Sequence, residues 1–265
     1  MDSALTGKRV LVTRTIEQAS ATAALLRERG AEPVVVPTIE IHPPSDPRPM
    51  ERAVAGLERD YDWIAFTSAN AVAATLREAL RQGRDAGAIG VGAIKIAAIG
   101  PGTEAALAAH GLRADLGPRE FRGEGLAEEM LKRLAGGARV LVPRAKEARE
   151  VLPDALRAAG MHVHVVTVYE TRKPPQTTAD RLAALLQSGA LDAVMFTSGS
   201  TVDNLCDLLG ERAAGLLSGV RVASIGPVTT AAAERRGLRV DATASEATVL
   251  RLVVALEALF RPSAV

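Results

Sequence analysis

The sequence predicts an α/β protein built from two similar lobes, each a doubly wound, flavodoxin-like parallel sheet, and three observations carry this prediction. Short runs of Val, Ile and Ala alternate with helical segments, a pattern typical of parallel strands joined by right-handed crossover helices. Some runs, such as Trp63–Phe66 and Ala193–Phe196, are apolar throughout, as expected for strands covered by helices on both faces. Segments of the first half also recur in the second half, in the same order.

The recurring segments indicate an internal duplication. Val10–Arg14 reads VLVTR, and Val140–Arg144, 130 positions further on, reads VLVPR. The longest repeat aligns Ala97–Asp115 with Ala223–Asp241, where 11 of 19 residues are identical at an offset of 126 positions. We therefore expect the two halves to contribute the same elements in the same order.

Each copy is predicted to contain five strands, placed where the apolar and β-branched runs fall between turn residues. In the first copy these strands lie near Arg9–Thr13, Pro33–Pro37, Trp63–Phe66, Ile94–Ile99 and Arg113–Asp115. In the second copy they lie near Arg139–Val142, His162–Val168, Ala193–Phe196, Val220–Ile225 and Arg239–Asp241.

Two proline-rich segments are predicted to link the lobes. Pro37–Pro49 contains five prolines in thirteen residues, and Thr171–Thr178 contains a Pro-Pro pair. Proline stiffens the backbone and removes hydrogen-bond donors, which suits exposed connections. We expect the chain to cross between lobes at both segments, so that one lobe comprises residues 1–38 plus 173–265 and the other residues 39–172. A cleft between two such lobes is a common place for a ligand.

The composition excludes other classes of protein. Lys and Arg total 32 against 31 Asp and Glu, and aromatic residues make up 3%, so neither a basic face for duplex nucleic acid nor base stacking is expected. The apolar runs have the length of strands, which excludes a membrane span. The single cysteine, Cys206, lies in an apolar helical pattern and is expected in a core. Because the N-terminus lacks a secretory leader, we expect a cytoplasmic protein.

Polar turns follow the predicted strands at the edge where open parallel sheets bind ligands. They are paired between the copies: Thr13-Arg14 with Pro143-Arg144, Thr67–Asn70 with Thr197–Ser200, and Gly100–Thr103 with Gly226–Thr229. Ser, Thr or Asn at any one of these turns is most simply a helix N-cap. Six such turns at one edge favour a site for carboxylate or phosphate groups, because helix N-termini bind anions.

Two weaker patterns concern cofactors and metals. The segment GPGTEA at residues 100–105 resembles a dinucleotide-binding turn, but Pro101 removes an amide and no acidic residue stands at a strand end about twenty residues on. His162 and His164 share one face of a strand, yet no cluster of Cys or carboxylates completes a metal site, and packed or surface histidines are the simpler interpretation. We therefore expect neither a cofactor nor a metal.

Tyr169 is a candidate for chemistry. It is one of two tyrosines and lies at the end of the second strand of the second copy, where the first copy has Ile39. A neutral phenol can donate a hydrogen bond or a proton to a leaving oxygen. The alternative, a tyrosine packed with its hydroxyl at the surface, is equally compatible with the sequence.

The ordered set of motifs resembles the uroporphyrinogen-III synthase family. The matching segments are Thr13-Arg14, Phe66–Val72, Ile99–Thr103, Val168–Thr171, Phe196–Val202 and Ile225–Thr229. Together they extend over nearly the whole chain, from Gly7 to about Leu259.

This resemblance implies a cofactor-free lyase of tetrapyrrole and haem biosynthesis. It would cyclise hydroxymethylbilane with inversion of the last pyrrole ring, ring D, and loss of water, giving uroporphyrinogen III. We expect a monomer that holds this small-molecule substrate between its lobes. The alternative is a two-lobed cytoplasmic binding or sensor protein for a small anionic ligand.

The resemblance also implies roles for individual residues. Tyr169 matches the tyrosine that assists the departure of hydroxide. The substrate-contacting turns of the family correspond to Thr67, Ser68, Thr103, Thr197, Ser198 and Thr229, with Asn70 at a position where some relatives carry arginine. From their loop positions we add Arg14, Arg144 and Lys146 as substrate-binding candidates.

Overall fold

The computed structural model describes residues 3–84 and 94–261, and the chain separates into two compact units. Unit 1 comprises Met1–Glu40 and Arg172–Val265, and unit 2 comprises Ile41–Thr171. The changes of unit thus fall after Glu40 and after Thr171, against predicted lobe boundaries at residues 38 and 172. Both units are α/β structures with a five-stranded sheet.

The sheet of unit 1 is parallel throughout. Strands are numbered along the chain, and those of unit 1 are β1 (Arg9–Val12), β2 (Glu32–Val35), β8 (Ala193–Phe196), β9 (Arg221–Ser224) and β10 (Ala242–Thr243). Their order across the sheet is β10-β9-β8-β1-β2, and every neighbouring pair is parallel. The two central strands, β1 and β8, therefore come from opposite ends of the chain.

Helices cover both faces of this sheet. Those of unit 1 are Ile16–Glu28, Gln176–Gln187, Gly199–Leu209, Ala213–Leu217, Pro227–Arg235 and Val249–Ala258, with a 3₁₀ turn at Gly210–Arg212. Val10 and Val12 pack with the first and last of these helices, whereas Leu11 packs on the opposite face with the helices that flank β8. Successive side chains of a strand point to opposite faces, so an apolar run such as Val10–Val12 fills both cores.

The sheet of unit 2 has the same arrangement of central strands. Its members are β3 (Glu40–His42), β4 (Trp63–Phe66), β5 (Lys95–Ala98), β6 (Arg139–Ala145) and β7 (His162–Arg172). Their order is β3-β7-β6-β4-β5, and the pairs β4·β5, β4·β6 and β6·β7 are parallel. The described helices of this unit are Arg48–Ala55, Leu57–Asp60, Ala69–Arg81, Pro101–Ala108, Gly123–Leu131 and Val151–Ala158.

The prediction of the last strand in each copy is wrong in detail. In unit 2 it is reduced to a single parallel bridge between Ala97 and Leu116, and in unit 1 the strand is Ala242–Thr243 rather than Arg239–Asp241. The cause is that the side chains of Asp115 and Asp241 accept the backbone N–H of the neighbouring strand, each at 2.8 Å. A carboxylate thus replaces the first backbone bond of the ladder.

The predicted linkers also contain regular structure. Glu40–His42, inside the first linker, forms the edge strand β3, and β7 continues to Arg172, past the predicted start of the second linker at Thr171. Pro43 and Pro44 follow β3 directly and prevent its extension, since proline lacks the N–H that a strand needs. Proline content correctly marked the ends of these strands but hid the strands themselves.

Two aspartates join the central strands of the two sheets in the same way. In unit 2 the Asp62 carboxylate accepts the Arg139 backbone N–H at 2.8 Å and also pairs with the Arg139 guanidinium. In unit 1 the Asp192 carboxylate accepts the Arg9 backbone N–H at 2.8 Å and the Lys8 ammonium at 3.1 Å. Each bond connects the start of a strand from one half of the sequence to the start of a strand from the other half.

The environment of both aspartates favours their charged form. Hydrogen bonding to the Arg139 side chain and amide holds the pKa of Asp62 below its usual value. Burial acts to raise the pKa of Asp192, but the Arg9 amide and the Lys8 ammonium outweigh it and the net pKa is lowered. Both carboxylates therefore stabilise the fold in their ionised state.

No helix in the described ranges combines the length and the apolar character that crossing a membrane requires.

Replacing Asp192 by alanine is expected to destabilise the fold, because it leaves the half-buried Arg9 amide without its charged acceptor. We expect Asp192→Ala to lower the free energy of unfolding by about 1.5–3 kcal/mol at pH 7, measured by urea denaturation. Asp154→Ala, which removes an exposed helical ion pair with Arg157, is the matched control and should cost about 0.5 kcal/mol or less.

The pH dependence of the same variant tests the electrostatic origin of the effect. A carboxylate with a lowered folded-state pKa contributes stability above its unfolded pKa of about 4 and loses it as the pH falls through the folded value. The difference between the native chain and Asp192→Ala should therefore shrink below about pH 4. A difference that stays constant from pH 7 to pH 3 would contradict this explanation.

Candidate functional site

The predicted turns of unit 1 lie at the carboxyl edge of its sheet, the edge at which the parallel strands end. Thr13 and Arg14 follow β1, and Thr197 and Ser198 follow the neighbouring strand β8. The helix after β1 packs in one core and the helix after β8 in the other, so they leave the sheet toward opposite faces. A crevice between two such helices is the usual ligand position in an open parallel sheet.

The corresponding point of unit 2 lies between β4 and β6. Thr67 and Ser68 follow β4, and Arg144 is near the end of β6. A cavity of about 180 Å³ opens here and is lined in part by Thr67, Ile99, Val142, Arg144 and Val151. The structure thus brings two of the predicted site residues of unit 2, Thr67 and Arg144, to one cavity at the carboxyl edge.

Ser68 and Ser198 are the N-caps of their helices. The Ser68 hydroxyl oxygen accepts the Ala71 backbone N–H at 3.1 Å. Ser198 forms a capping box, in which its oxygen accepts the Thr201 N–H at 3.3 Å and the Thr201 hydroxyl accepts the Ser198 N–H at 3.2 Å. The caps orient both hydroxyls toward the helix start, where the partial positive charge of the helix is concentrated.

The other predicted threonines and Asn70 differ in their accessibility. Thr103 and Thr229 occupy equivalent positions in the helices that start at Pro101 and Pro227, and both side chains are buried. Thr67, Thr197 and Asn70 are half-buried. Only the half-buried members of this group have side-chain surface available to a ligand in this state of the protein.

Tyr169 is held at the carboxyl edge of unit 2 by a direct side-chain contact. It lies on β7, is 8% exposed, and its hydroxyl oxygen lies 3.1 Å from the Ser68 hydroxyl oxygen. Because Ser68 already accepts the Ala71 N–H, its own O–H is available to donate to Tyr169. In that arrangement a series of donors runs from the helix start through Ser68 to the phenol oxygen, and the phenol O–H can donate to another group.

The three basic candidates have different environments. The buried Arg144 guanidinium donates to the Ala148 carbonyl at 3.2 Å and the Arg149 carbonyl at 3.0 Å and pairs with Glu150. The exposed Lys146 ammonium lies 3.5 Å from a Glu170 carboxylate oxygen. Arg14 is half-buried, and burial lowers its pKa from the ordinary arginine value, although the group stays charged.

Phe121 is a residue of this edge that the sequence did not single out. Its ring lies over the Gly100 turn, where an added Cβ would be 3.0 Å from Phe121 Cδ1, and yet 64% of the residue is exposed. Gly100 is extended, with φ of 165°, so the close ring rather than the backbone angle explains the glycine. The sequence feature that could have indicated Phe121 is a phenylalanine in a polar, glycine-bounded loop soon after a predicted strand.

The remaining candidates lie elsewhere. His164 Nδ1 forms a hydrogen bond with the Tyr61 hydroxyl and is stacked against that ring, and burial lowers its pKa. Cys206 is buried, which raises the pKa of its thiol. Among the described residues no group of three His, Cys, Asp or Glu side chains is placed to hold a metal ion.

A larger cavity, about 360 Å³, lies at the amino end of β9 beside Arg221 and Asp241, away from the turns.

Comparison with known proteins supports the family resemblance at the level of sequence. The family model for uroporphyrinogen-III synthase HemD matches residues 20–253. The chain is 39% identical over 258 residues to the uroporphyrinogen-III synthase of Synechococcus elongatus, covering 96% of both chains. It is 34% identical to a putative uroporphyrinogen-III synthase of Methanothermobacter thermautotrophicus, covering 92% of this chain and 96% of that protein.

Solved structures agree at the level of the fold. A mutant uroporphyrinogen III synthase from Thermus thermophilus superposes with a TM-score of 0.61 at 19% identity, covering 95% of this chain and 98% of the other. The uroporphyrinogen-III synthetase of Helicobacter pylori gives a TM-score of 0.56 at 18% identity, covering 96% and 100%. With a family model over most of its length and a relative of 39% identity, the chain belongs to the uroporphyrinogen-III synthase family.

Proposed function

We propose that this cyclising lyase of haem biosynthesis uses Tyr169 to assist the departure of hydroxide from hydroxymethylbilane, with the bilane held by the turns at the carboxyl edges of both sheets. The single observation that carries the proposal is the 3.1 Å contact between the Tyr169 and Ser68 hydroxyls. It fixes the phenol near the carboxyl end of β7, beside the start of the helix Ala69–Arg81.

The first step is loss of the hydroxyl group from the hydroxymethyl carbon. The carbon–oxygen bond breaks with its electron pair on oxygen, and the Tyr169 proton leaves with that oxygen as water. The resulting azafulvenium cation is attacked by the substituted carbon of ring D, giving a spiro intermediate that fragments and closes again with ring D inverted. The proton that the last pyrrole carbon loses on closure restores the phenol, so the net change is loss of one water.

The Ser68 contact makes this proton transfer easier. As the proton leaves, negative charge develops on the Tyr169 oxygen, and the Ser68 O–H donates to it while the Ala71 N–H donates to Ser68. Donors in series polarise one another, and the series begins at the positive end of the helix Ala69–Arg81. General acid assistance of this kind contributes about 10²–10⁴-fold to a rate.

The binding of the substrate follows from its charge. The bilane carries carboxylates along its whole length, whereas this chain has almost equal numbers of acidic and basic residues. Helix starts supply backbone N–H groups and partial positive charge without a net basic protein. We propose that the contacts come from Thr67, Ser68, Asn70, Thr103, Thr197, Ser198 and Thr229, with the buried Thr103 and Thr229 acting through the backbone of their turns, and from Lys146 and Arg14.

Arg144 has a different role in this proposal. Its guanidinium is already bonded to two loop carbonyls and to Glu150, so a substrate carboxylate would have to displace these partners. We assign Arg144 to holding the loop at residues 146–150 beside the cavity rather than to direct binding. This assignment replaces the earlier expectation that Arg144 contacts the substrate.

We further propose that the two units arose by duplication of one flavodoxin-like sheet and that the copies exchanged their first strands. The reciprocal bonds of Asp62 with Arg139 and of Asp192 with Arg9 support this, because both pairs are related by the same 130-residue offset as the sequence repeats. A monomeric, cytoplasmic enzyme remains our expectation.

The activity is tested by supplying the purified chain with freshly generated hydroxymethylbilane. After oxidation, the porphyrin isomers are separated by chromatography. We expect isomer III to predominate, because ring D inversion requires the enzyme, whereas the bilane closes to isomer I without it. If isomer I alone forms, as in the enzyme-free control, the proposed function is wrong.

The role of Tyr169 is tested by Tyr169→Phe, which removes the hydroxyl and keeps the ring. We expect the rate of isomer III formation to fall about 10²-fold or more, with more isomer I from spontaneous closure, and with unchanged thermal unfolding. Tyr61→Phe is the matched control: this second tyrosine bonds His164 outside the proposed site and should leave the isomer ratio unchanged. An unaltered rate in Tyr169→Phe would remove Tyr169 from the mechanism.

The contribution of Ser68 is tested by Ser68→Ala. This change removes both a helix cap, costing about 0.5–2 kcal/mol of stability, and the donor to Tyr169. Thr248→Ala removes an equivalent cap, the bond from Arg251 N–H, in unit 1, whereas Ser68 and Tyr169 belong to unit 2. We expect similar losses of stability but a rate loss of about tenfold, the equivalent of one hydrogen bond, only in Ser68→Ala. Equal rates in the two variants would show that Ser68 is a cap and nothing more.

A further inference from the structure

The turn Thr13–Arg14–Thr15, between β1 and the helix Ile16–Glu28, contains an arginine for which the described part of the chain provides no counter-ion. Arg14 is half-buried, and among the side chains that the structure describes no carboxylate pairs with it. Burial without compensation lowers its pKa. An arginine partly removed from water and left unpaired costs free energy, which evolution tolerates most readily where a ligand supplies the missing charge.

The residues before and after Arg14 in the sequence carry buried hydroxyls that also lack partners in the described structure. Thr13 is 1% and Thr15 7% exposed, and neither Oγ1 atom has a hydrogen-bond partner in the described structure. Thr15 is the N-cap residue of a 13-residue helix, yet its side chain makes no cap bond, whereas Ser68, Ser198 and Thr248 all cap their helices. Buried hydroxyls are normally satisfied, so two orphaned ones in one turn require an explanation.

The backbone of the turn is firmly held although its side chains are not. The Thr13 carbonyl accepts the Thr38 N–H at 3.4 Å and the Thr38 hydroxyl at 3.2 Å, and the Thr15 carbonyl accepts the Ala19 N–H at 2.8 Å. The Thr13 and Thr15 carbonyls are thus used within unit 1, and the groups of the turn that have no partner in the described structure can all donate: two hydroxyls and a guanidinium. A set of free donors is complementary to an anion.

The sister turn of unit 2 shows that the fold does not require these groups. At the equivalent positions Pro143–Arg144–Ala145 has no hydroxyl, and its arginine is bonded to the loop that follows. The unpaired arginine and the orphaned hydroxyls therefore belong to one copy only. Packing of a β-strand end does not explain them.

We propose that Thr13, Arg14 and Thr15 form a carboxylate clamp that binds one acetate or propionate side chain of the linear tetrapyrrole. The half-buried guanidinium would donate two parallel hydrogen bonds above the N-terminus of the helix Ile16–Glu28, and the hydroxyls, which are covered in this state of the protein, would donate one each when the turn opens on binding. This inference rests on the proposed function and adds to it the orientation of the substrate. Because the sister turn has no such clamp, a pseudo-repetitive bilane is bound in one orientation.

Arg14→Gln tests the clamp, because it removes the charge and leaves a polar chain of similar length. We expect KM for the bilane to rise about 10- to 100-fold with kcat changed less than about threefold, since a remote anchor contributes equally to the ground and transition states. Arg14→Lys, which keeps the charge but not the paired geometry, should restore part of the affinity. Arg27→Gln, at the exposed far end of the same helix, is the matched control and should keep the native KM.

The hydroxyls are tested by Thr13→Val and Thr15→Val, which replace each orphaned oxygen by a methyl group of similar size. If the hydroxyls serve only a ligand, the free protein should be as stable or more stable, with an equal or higher Tm, while KM rises about three- to tenfold. Thr75→Val is the matched control: Thr75 also carries an orphaned buried hydroxyl, but within the helix Ala69–Arg81 and without a neighbouring unpaired arginine. It should keep its Tm and its KM.

A direct binding measurement separates failure of this inference from failure of the proposed function. Uroporphyrin III, a stable oxidised macrocycle with the same carboxylate side chains, is titrated by fluorescence against the native chain and against Arg14→Gln. We expect Kd to rise at least tenfold in the variant. Equal Kd values, or a variant with lower Tm and kcat but native KM, would overturn the clamp even if the native chain makes isomer III. A native chain that makes only isomer I would refute the activity, while the difference in Kd would still decide the clamp.

Discussion

The reciprocal bonds from an aspartate carboxylate to a strand amide, Asp62 with Arg139 and Asp192 with Arg9, are the constraint on which the rest of the structure depends. Each ties the first residue of one central strand to the turn before the other, and so sets the register of β6 with β4 and of β1 with β8. A slip of one residue would move every apolar side chain of a strand to the opposite face. The cores therefore form only in this register.

That register also builds the carboxyl edges, because strands aligned at their starts present their ends side by side. In unit 2 it brings Thr67, the residue after β4, and the end of β6 to one cavity. It also places Ser68 within reach of Tyr169 on β7, the strand on the other side of β6. In unit 1 it sets the Thr13–Arg14–Thr15 turn beside the capped helix that begins after Ser198. The amino edges fix the fold, and the carboxyl edges are left free for chemistry.

The sequence predicted the central strands and the turns well, because apolar runs and capping residues are local signals. It could not predict the Tyr169–Ser68 contact, which depends on the register of three strands and on the irregular pairing after Arg144. It treated Arg14 and Arg144 alike because both follow a repeated strand. The difference arises from loop length. The helix after β1 begins at Ile16, whereas in unit 2 the loop at residues 146–150 precedes the helix at Val151 and supplies the carbonyls that bond Arg144. Glu40–His42 was missed because three residues between prolines resemble a linker.

The discontinuous composition of unit 1 has a consequence for the order in which the protein folds during synthesis. Unit 2, Ile41–Thr171, is one continuous segment and can complete its sheet as soon as it leaves the ribosome. The strands β1 and β2 emerge before unit 2, yet β1 has no partner on its other side until β8 emerges, more than half the chain later. The parallel pair of β1 and β2 thus keeps an unprotected sheet edge throughout the synthesis of unit 2, until Ala193–Phe196 emerges and pairs with β1.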